Sequence, residues 1–129
     1  MNKDIIEMQR NCNATCVIIL DEHHQELNNS LIIDSDIEDY KLYSGPHGVP
    51  IFKEQLENIS KEDEITYLVI RNIDLVSEEK QNRYLGLVKD RHFQGYDLPK
   101  NVIIVLTITN KEQLNKISKD LYHYSVVAF

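Results

Sequence analysis

Short apolar runs, rich in Val and Ile and without polar alternation, constrain this chain most: Thr15 to Leu20, Tyr67 to Ile70, Asn101 to Thr109 and Tyr124 to Ala128. A strand with one wet face alternates apolar and polar residues, so runs of this kind predict strands covered on both faces, as in a parallel sheet. Leu31 to Ile33 is a shorter fifth run. The segments between them carry helical spacing and start signals. Pro50 suits a first helical position, and Phe52, Leu56 and Ile59 then share one face. Ser77 before Glu78 and Glu79 reads as an N-cap with acids in the first turn, and Tyr84, Leu85 and Val88 supply that helix's buried stripe. Asn110, with Gln113 three residues on, resembles a capping box ahead of Leu114, Ile117 and Leu121. Residues 3–10 suit a short leading helix.

From residue 50 onward the order is helix, strand, helix, strand, helix, strand, which implies an α/β fold: a three-layer sandwich with a mostly parallel sheet. The front differs. Only ten residues, Asp21 to Ser30, separate Leu20 from Leu31. A parallel crossover needs a dozen or more, so an N-terminal β-hairpin, or an edge strand, is expected there. The loop signal Gly45-Pro46-His47-Gly48-Val49-Pro50 divides this front from the rest. The 129 residues suit a single domain, 1–129.

Charge is unevenly placed. Lys+Arg 14 against Asp+Glu 21 gives a net charge of −7. Between residues 21 and 39 stand Asp21, Glu22, Glu26, Asp34, Asp36, Glu38 and Asp39, with no Lys or Arg, whereas Lys80 to His92 holds Lys80, Arg83, Lys89 and Arg91 against the single acid Asp90. Steering favours a basic partner at the first segment and disfavours direct nucleic-acid binding. Two solvated faces would read the same way. The apolar stretches fall far below the roughly 18 residues of a membrane helix, and Met1 to Glu7 is acidic and polar where a signal peptide is basic and apolar, so no membrane partner and a cytoplasmic location are expected. Cys12 and Cys16, spaced C-x3-C, match neither a zinc ribbon nor the C-x-x-C redox motif and read as reduced thiols.

Residues 67–129 resemble the later part of an AAA+ ATPase core of the MoxR-like or clamp-loader type. Tyr67-Leu68-Val69-Ile70-Arg71-Asn72-Ile73-Asp74 is similar to the Walker B strand and its continuation, and Ser77 to Leu85, with Gln81-Asn82 before Leu85, to the helix that follows. Phe93-Gln94-Gly95-Tyr96-Asp97-Leu98-Pro99 resembles a Gly-Tyr-x-Leu-Pro hairpin, and Ile103 to Asn110 a sensor strand with Asn110 at the sensor-1 position. The resemblance implies a truncated P-loop NTPase-like fold. It also implies that the catalysis is gone. The four glycines precede Pro46, Val49, Leu87 and Tyr96, so no Gly-Lys of a Walker A loop exists. Arg71 and Asn72 stand where the family has its metal-binding Asp and water-activating Glu, and no arginine follows Arg91 to serve as a finger. Asn110 as an N-cap, and Asp74 as a strand end or turn cap, have sufficient structural roles.

The expectation is therefore a catalytically inactive AAA+-like domain, not an enzyme, needing no cofactor and working by binding protein: an active AAA+ subunit, or a basic protein. Arg83, Lys89, Arg91, Phe93 and Tyr96 form the expected contact surface, where Arg91→Glu would weaken assembly without lowering stability. The alternative is an acidic inhibitor or nucleic-acid mimic that presents residues 21–39 to a basic site. Tyr84 and Tyr67 read as core; Tyr40, Tyr43 and Tyr96 read as exposed contacts. Asp21-Glu22-His23-His24-Gln25-Glu26 has metal-ligand residue types but not the H-E-x-x-H spacing, so an exposed polar turn is expected and no metal site. No G-x-S-x-G is present, and a Cys12 or Cys16 nucleophile has no nearby partner in the sequence.

Overall fold

The structure, a computed structural model, describes residues 16–45, 48–60 and 64–129. Residues 3–10 and Cys12 lie outside the described residues, as do Pro46 and His47 of the loop.

Among the described residues five strands form one sheet: β1 (Cys16–Leu20), β2 (Ser30–Asp34), β3 (Thr66–Arg71), β6 (Val102–Ile108) and β7 (Ser125–Val127), in the order β2-β3-β6-β1-β7, with every pair parallel. Between β3 and β6, a second, two-stranded sheet pairs β4 (His92–Phe93) antiparallel with β5 (Tyr96–Asp97). Its turn, Gln94-Gly95, has positive φ at both residues, 48° and 80°, the twist a two-residue hairpin requires. The helices are α1 (Asp39–Leu42), α2 (Phe52–Ile59), α3 (Glu78–Asn82), α4 (Leu85–Asp90) and α5 (Lys119–His123).

Successive strand residues point to opposite faces, and the core divides accordingly. Cys16, Ile18, Ile33, Leu68, Ile70, Ile104 and Leu106 face the helical layer, where Phe52 and Leu56 of α2, Leu87 and Val88 of α4 and Leu121 of α5 meet them. Val17, Ile19, Tyr67, Val69, Ile103 and Val105 face the other side, where Leu27 packs on them from the segment linking β1 to β2. Both faces are covered, which is why these strands lack polar alternation. The sheet thus lies between a helical layer and a thin layer containing the 3-10 turn Asp21–Glu26.

Three local expectations need correction. Of the two arrangements expected at the front of the chain, the hairpin is not formed and the edge strand is: β2 pairs parallel with β3 at the end of the sheet, and β1 lies three places away. Residues 21–29 cover that shift of roughly 14 Å because they carry only a 3-10 turn, not a full crossover helix. The helix after Ser77 breaks in two around Arg83 and Tyr84. The segment after Asn110 is a 3-10 turn, Lys111–Lys116, and Asn110 makes no side-chain cap bond; Ser118, accepting from the Leu121 amide, caps α5 instead. Ser77 caps α3 as the sequence suggests, accepting from the Lys80 amide.

Candidate functional site at the carboxyl edge

In an open parallel sheet the natural ligand position lies beyond the carboxyl ends of the strands, where connections leave in opposite directions. Here that point falls between β1 and β6, since the chain passes from β1 toward β2 and from β6 toward β7. Asp21 stands at the end of β1, Arg71 ends β3, and Thr107 lies near the end of β6.

These three residues bond to one another across the gap. Arg71 donates through Nε to Asp21 Oδ1 at 2.9 Å and through Nη2 to Oδ2 at 2.6 Å, a two-point grip, and Thr107 Oγ1 donates to Asp21 Oδ1 at 2.8 Å. The guanidinium holds the Asp21 carboxyl below its ordinary value, against the desolvation that pushes it up, and Asp21 in turn raises Arg71. His24 Nδ1 donates to the Asp21 carbonyl at 2.6 Å, which turns its ring inward, while His23 lies outward between Glu22 and Glu26. The two imidazoles diverge, and among the described residues no three His, Cys, Asp or Glu side chains converge on a metal position.

The neighbouring residues serve the same closure. Asn72 adopts a left-handed conformation, φ 58°; its amide donates to Thr107 Oγ1 at 2.9 Å and its carbonyl accepts from Ser35 Oγ at 2.9 Å. Asp74 is buried and accepts from the Thr109 amide and from Thr109 Oγ1 at 2.6 Å, tying the turn after β3 to the end of β6. Asn110 is exposed and stands outside this network. Next to it is a cleft of about 260 Å³ lined by Asp34, Ser35, Asp36, Arg71, Asn72 and Leu75. Its serine, Ser35, donates to the Asn72 carbonyl.

The expected contact surface is largely consumed within the molecule. Arg83 donates to the Ile37 and Ser35 carbonyls, to Asp39 Oδ1 at 2.6 Å and to the Tyr84 hydroxyl, which itself donates to the Ser35 carbonyl. Arg91 is half-buried and donates to the Pro99 and Val102 carbonyls at 2.7 Å each; burial lowers its pKa. Phe93 and Tyr96 are 4% and 6% exposed, within an aromatic cluster that includes Tyr43, Phe52 and Tyr84. Of that set only Lys89 is exposed, so Arg91→Glu would cost stability, because a carboxylate cannot donate to two carbonyls. Tyr67 and Tyr84 are core and Tyr40 is exposed, but Tyr96 is not a surface residue.

The acidic segment also divides. Asp21 is taken by Arg71, whereas Glu22, Glu26, Asp34, Asp36, Glu38 and Asp39 are exposed, Asp39 also accepting from Arg83. Sequence reasoning missed Ser35, Thr107 and Thr109. Thr107 was marked by being the one polar residue inside the run Ile103 to Ile108.

No family model and no characterised protein matches the chain. Among solved structures it is similar to NtrX from Brucella abortus, with a TM-score of 0.53 at 12% identity, over 97% of this chain and 36% of that one. The chain therefore spans about a third of that protein's length, and the likeness speaks for the α/β fold alone. Among the described residues no helix is long and apolar enough to cross a membrane.

Proposed function

We propose that the chain is a catalytically inactive AAA+-like domain, with a P-loop NTPase-like sheet, that works by binding another protein. The observation that carries this reading is the Asp21–Arg71 pair: the carboxylate after β1 and the cation after β3 neutralise each other where a nucleotide's phosphates and metal ion would need room. A Walker B acid and a sensor residue act on one phosphate, so their strands must end side by side. The segments that resemble them, β3 and β6, are parallel neighbours, and Asp74 and Thr109 join their ends, which supports the relationship. With Arg71 gripping a carboxylate and Asn72 unable to take a proton, no group there activates water.

The test is titration with a fluorescent ATP analogue, with and without Mg²⁺, reading affinity and thermal shift. No saturable binding at millimolar nucleotide is expected; saturable, Mg²⁺-dependent binding overturns the reading. A second reading, an acidic module that engages a basic site, is favoured by the exposure of Asp34, Asp36 and Glu38 together. Its complex weakens steeply with salt, since exposed charges are screened.

A further inference from the structure

We infer that the outer edge of β2 is a docking site for an extended, basic segment of a partner protein, which adds a sixth strand to the sheet. This rests on the protein-binding reading above and names the surface and the partner chemistry.

Three observations carry it. First, β2 ends the sheet, and its register shows which groups face outward. The Tyr67 amide donates to the Asn29 carbonyl and the Ser35 amide to the Arg71 carbonyl, so odd-numbered residues of β2 bond to β3. The N–H and C=O groups of Ser30 and Ile32 and the N–H of Asp34 therefore point away from the sheet, while the Asp34 carbonyl accepts from the Ile37 amide at 3.1 Å. Second, the edge lacks the usual protection. It has no lysine, proline or bulge, and Ile32 is 46% exposed in its middle. Third, a groove of about 490 Å³ runs beside it, lined by Ile37 and Ile51, by Asp34, Asp36 and Glu38, and by Lys41 as the one cation lining it among the described residues, with the Lys80 ammonium donating to the Asp36 carbonyl at 2.9 Å.

Together these features are those of strand addition, in which backbone bonds give affinity and pockets for alternate side chains give specificity. The acids select the occupant. A second copy pairing through its own β2, in a stretch without lysine or arginine, would bring no cation to Asp34, Asp36 and Glu38, and the net charge of −7 on each copy opposes their approach. An extended segment alternating aliphatic and basic residues meets both the apolar lining and the acids.

The probe is a capped octapeptide of alternating valine and lysine, with its valine–glutamate counterpart as control. Amide hydrogen exchange and affinity are read on the wild-type chain and on Ile32→Pro. Proline at position 32 removes an outward N–H and no bond to β3, so the fold is expected to survive. Expected are slowed exchange at the Ile32 and Asp34 amides with the lysine peptide, no binding of the glutamate peptide, and at least a roughly tenfold loss of affinity in Ile32→Pro. The exchange measurement stands even if that variant fails to fold. Equal binding of the two peptides, protection elsewhere, self-association through β2, or no saturable binding at millimolar peptide overturns the inference. Nucleotide binding in the titration above would sink the inactive-domain reading without touching this edge, so the two failures are distinguishable.

Discussion

The middle of the sheet's carboxyl edge and its β2 flank carry the same kind of residue and use it oppositely. Asp21, between β1 and its neighbours, is gripped by Arg71 and Thr107 and serves the fold. Asp34 ends β2, where the sheet stops, and remains exposed. Both partners of Asp21 reach it from one side, Thr107 on the neighbouring β6 and Arg71 on β3 beyond it. Asp34 stands in register beside the same arginine, whose guanidinium is already turned to Asp21. The difference teaches that position in the strand order, not residue type, separates structural acids from available ones.

The sharpest way to break this contrast is Arg71→Ala. It leaves Asp21 a partly buried charge with one hydroxyl donor, and unfolding free energy is expected to fall by about 2 kcal/mol, discounted for the partial exposure of Arg71. Urea unfolding checks it. A loss no larger than that of Asp34→Ala would erase the distinction between the two regions.

Acid titration gives a smaller effect with a definite sign. Arg71 holds the Asp21 carboxyl below its ordinary value of 3.8, so its contribution is fully present above that pH and is lost as pH falls through the lower folded value. Stability followed by thermal unfolding should therefore drop more steeply below about pH 4 in the wild-type chain than in Asp21→Asn. Parallel curves would mean that the pair contributes nothing at neutral pH.

The smallest effect belongs to the flank. Asp34→Asn combined with Glu38→Gln is expected to change stability by less than about 0.5 kcal/mol, as for exposed surface charges, Asp34 acting on the neighbouring Arg71 only through its charge, while weakening the lysine peptide and flattening its salt dependence. Stability loss comparable to that of Arg71→Ala would show that these acids serve the fold after all.

Periodicity in the chain determined the strands of the parallel sheet, the helix beginning at Phe52 and the Ser77 cap, because burial on both faces and local backbone chemistry are written in neighbouring residues. The missing Gly-Lys was equally legible. Tertiary structure alone decided the rest. Asp21 and Arg71 are 50 residues apart, and nothing local says that a charge after β1 will meet one after β3. Arg83, Arg91, Phe93 and Tyr96 look like a surface in sequence because basic and aromatic residues alternate there, yet helix packing turns each inward to carbonyls or rings. Whether Leu31 to Ile33 belonged to a hairpin or to an edge depended on how far a short 3-10 linker could carry the chain across the sheet. Sequence records what each residue would bury or cap; only the strand order sets which distant charges come within reach of one another, because that reach is fixed by the spacing of strands in space.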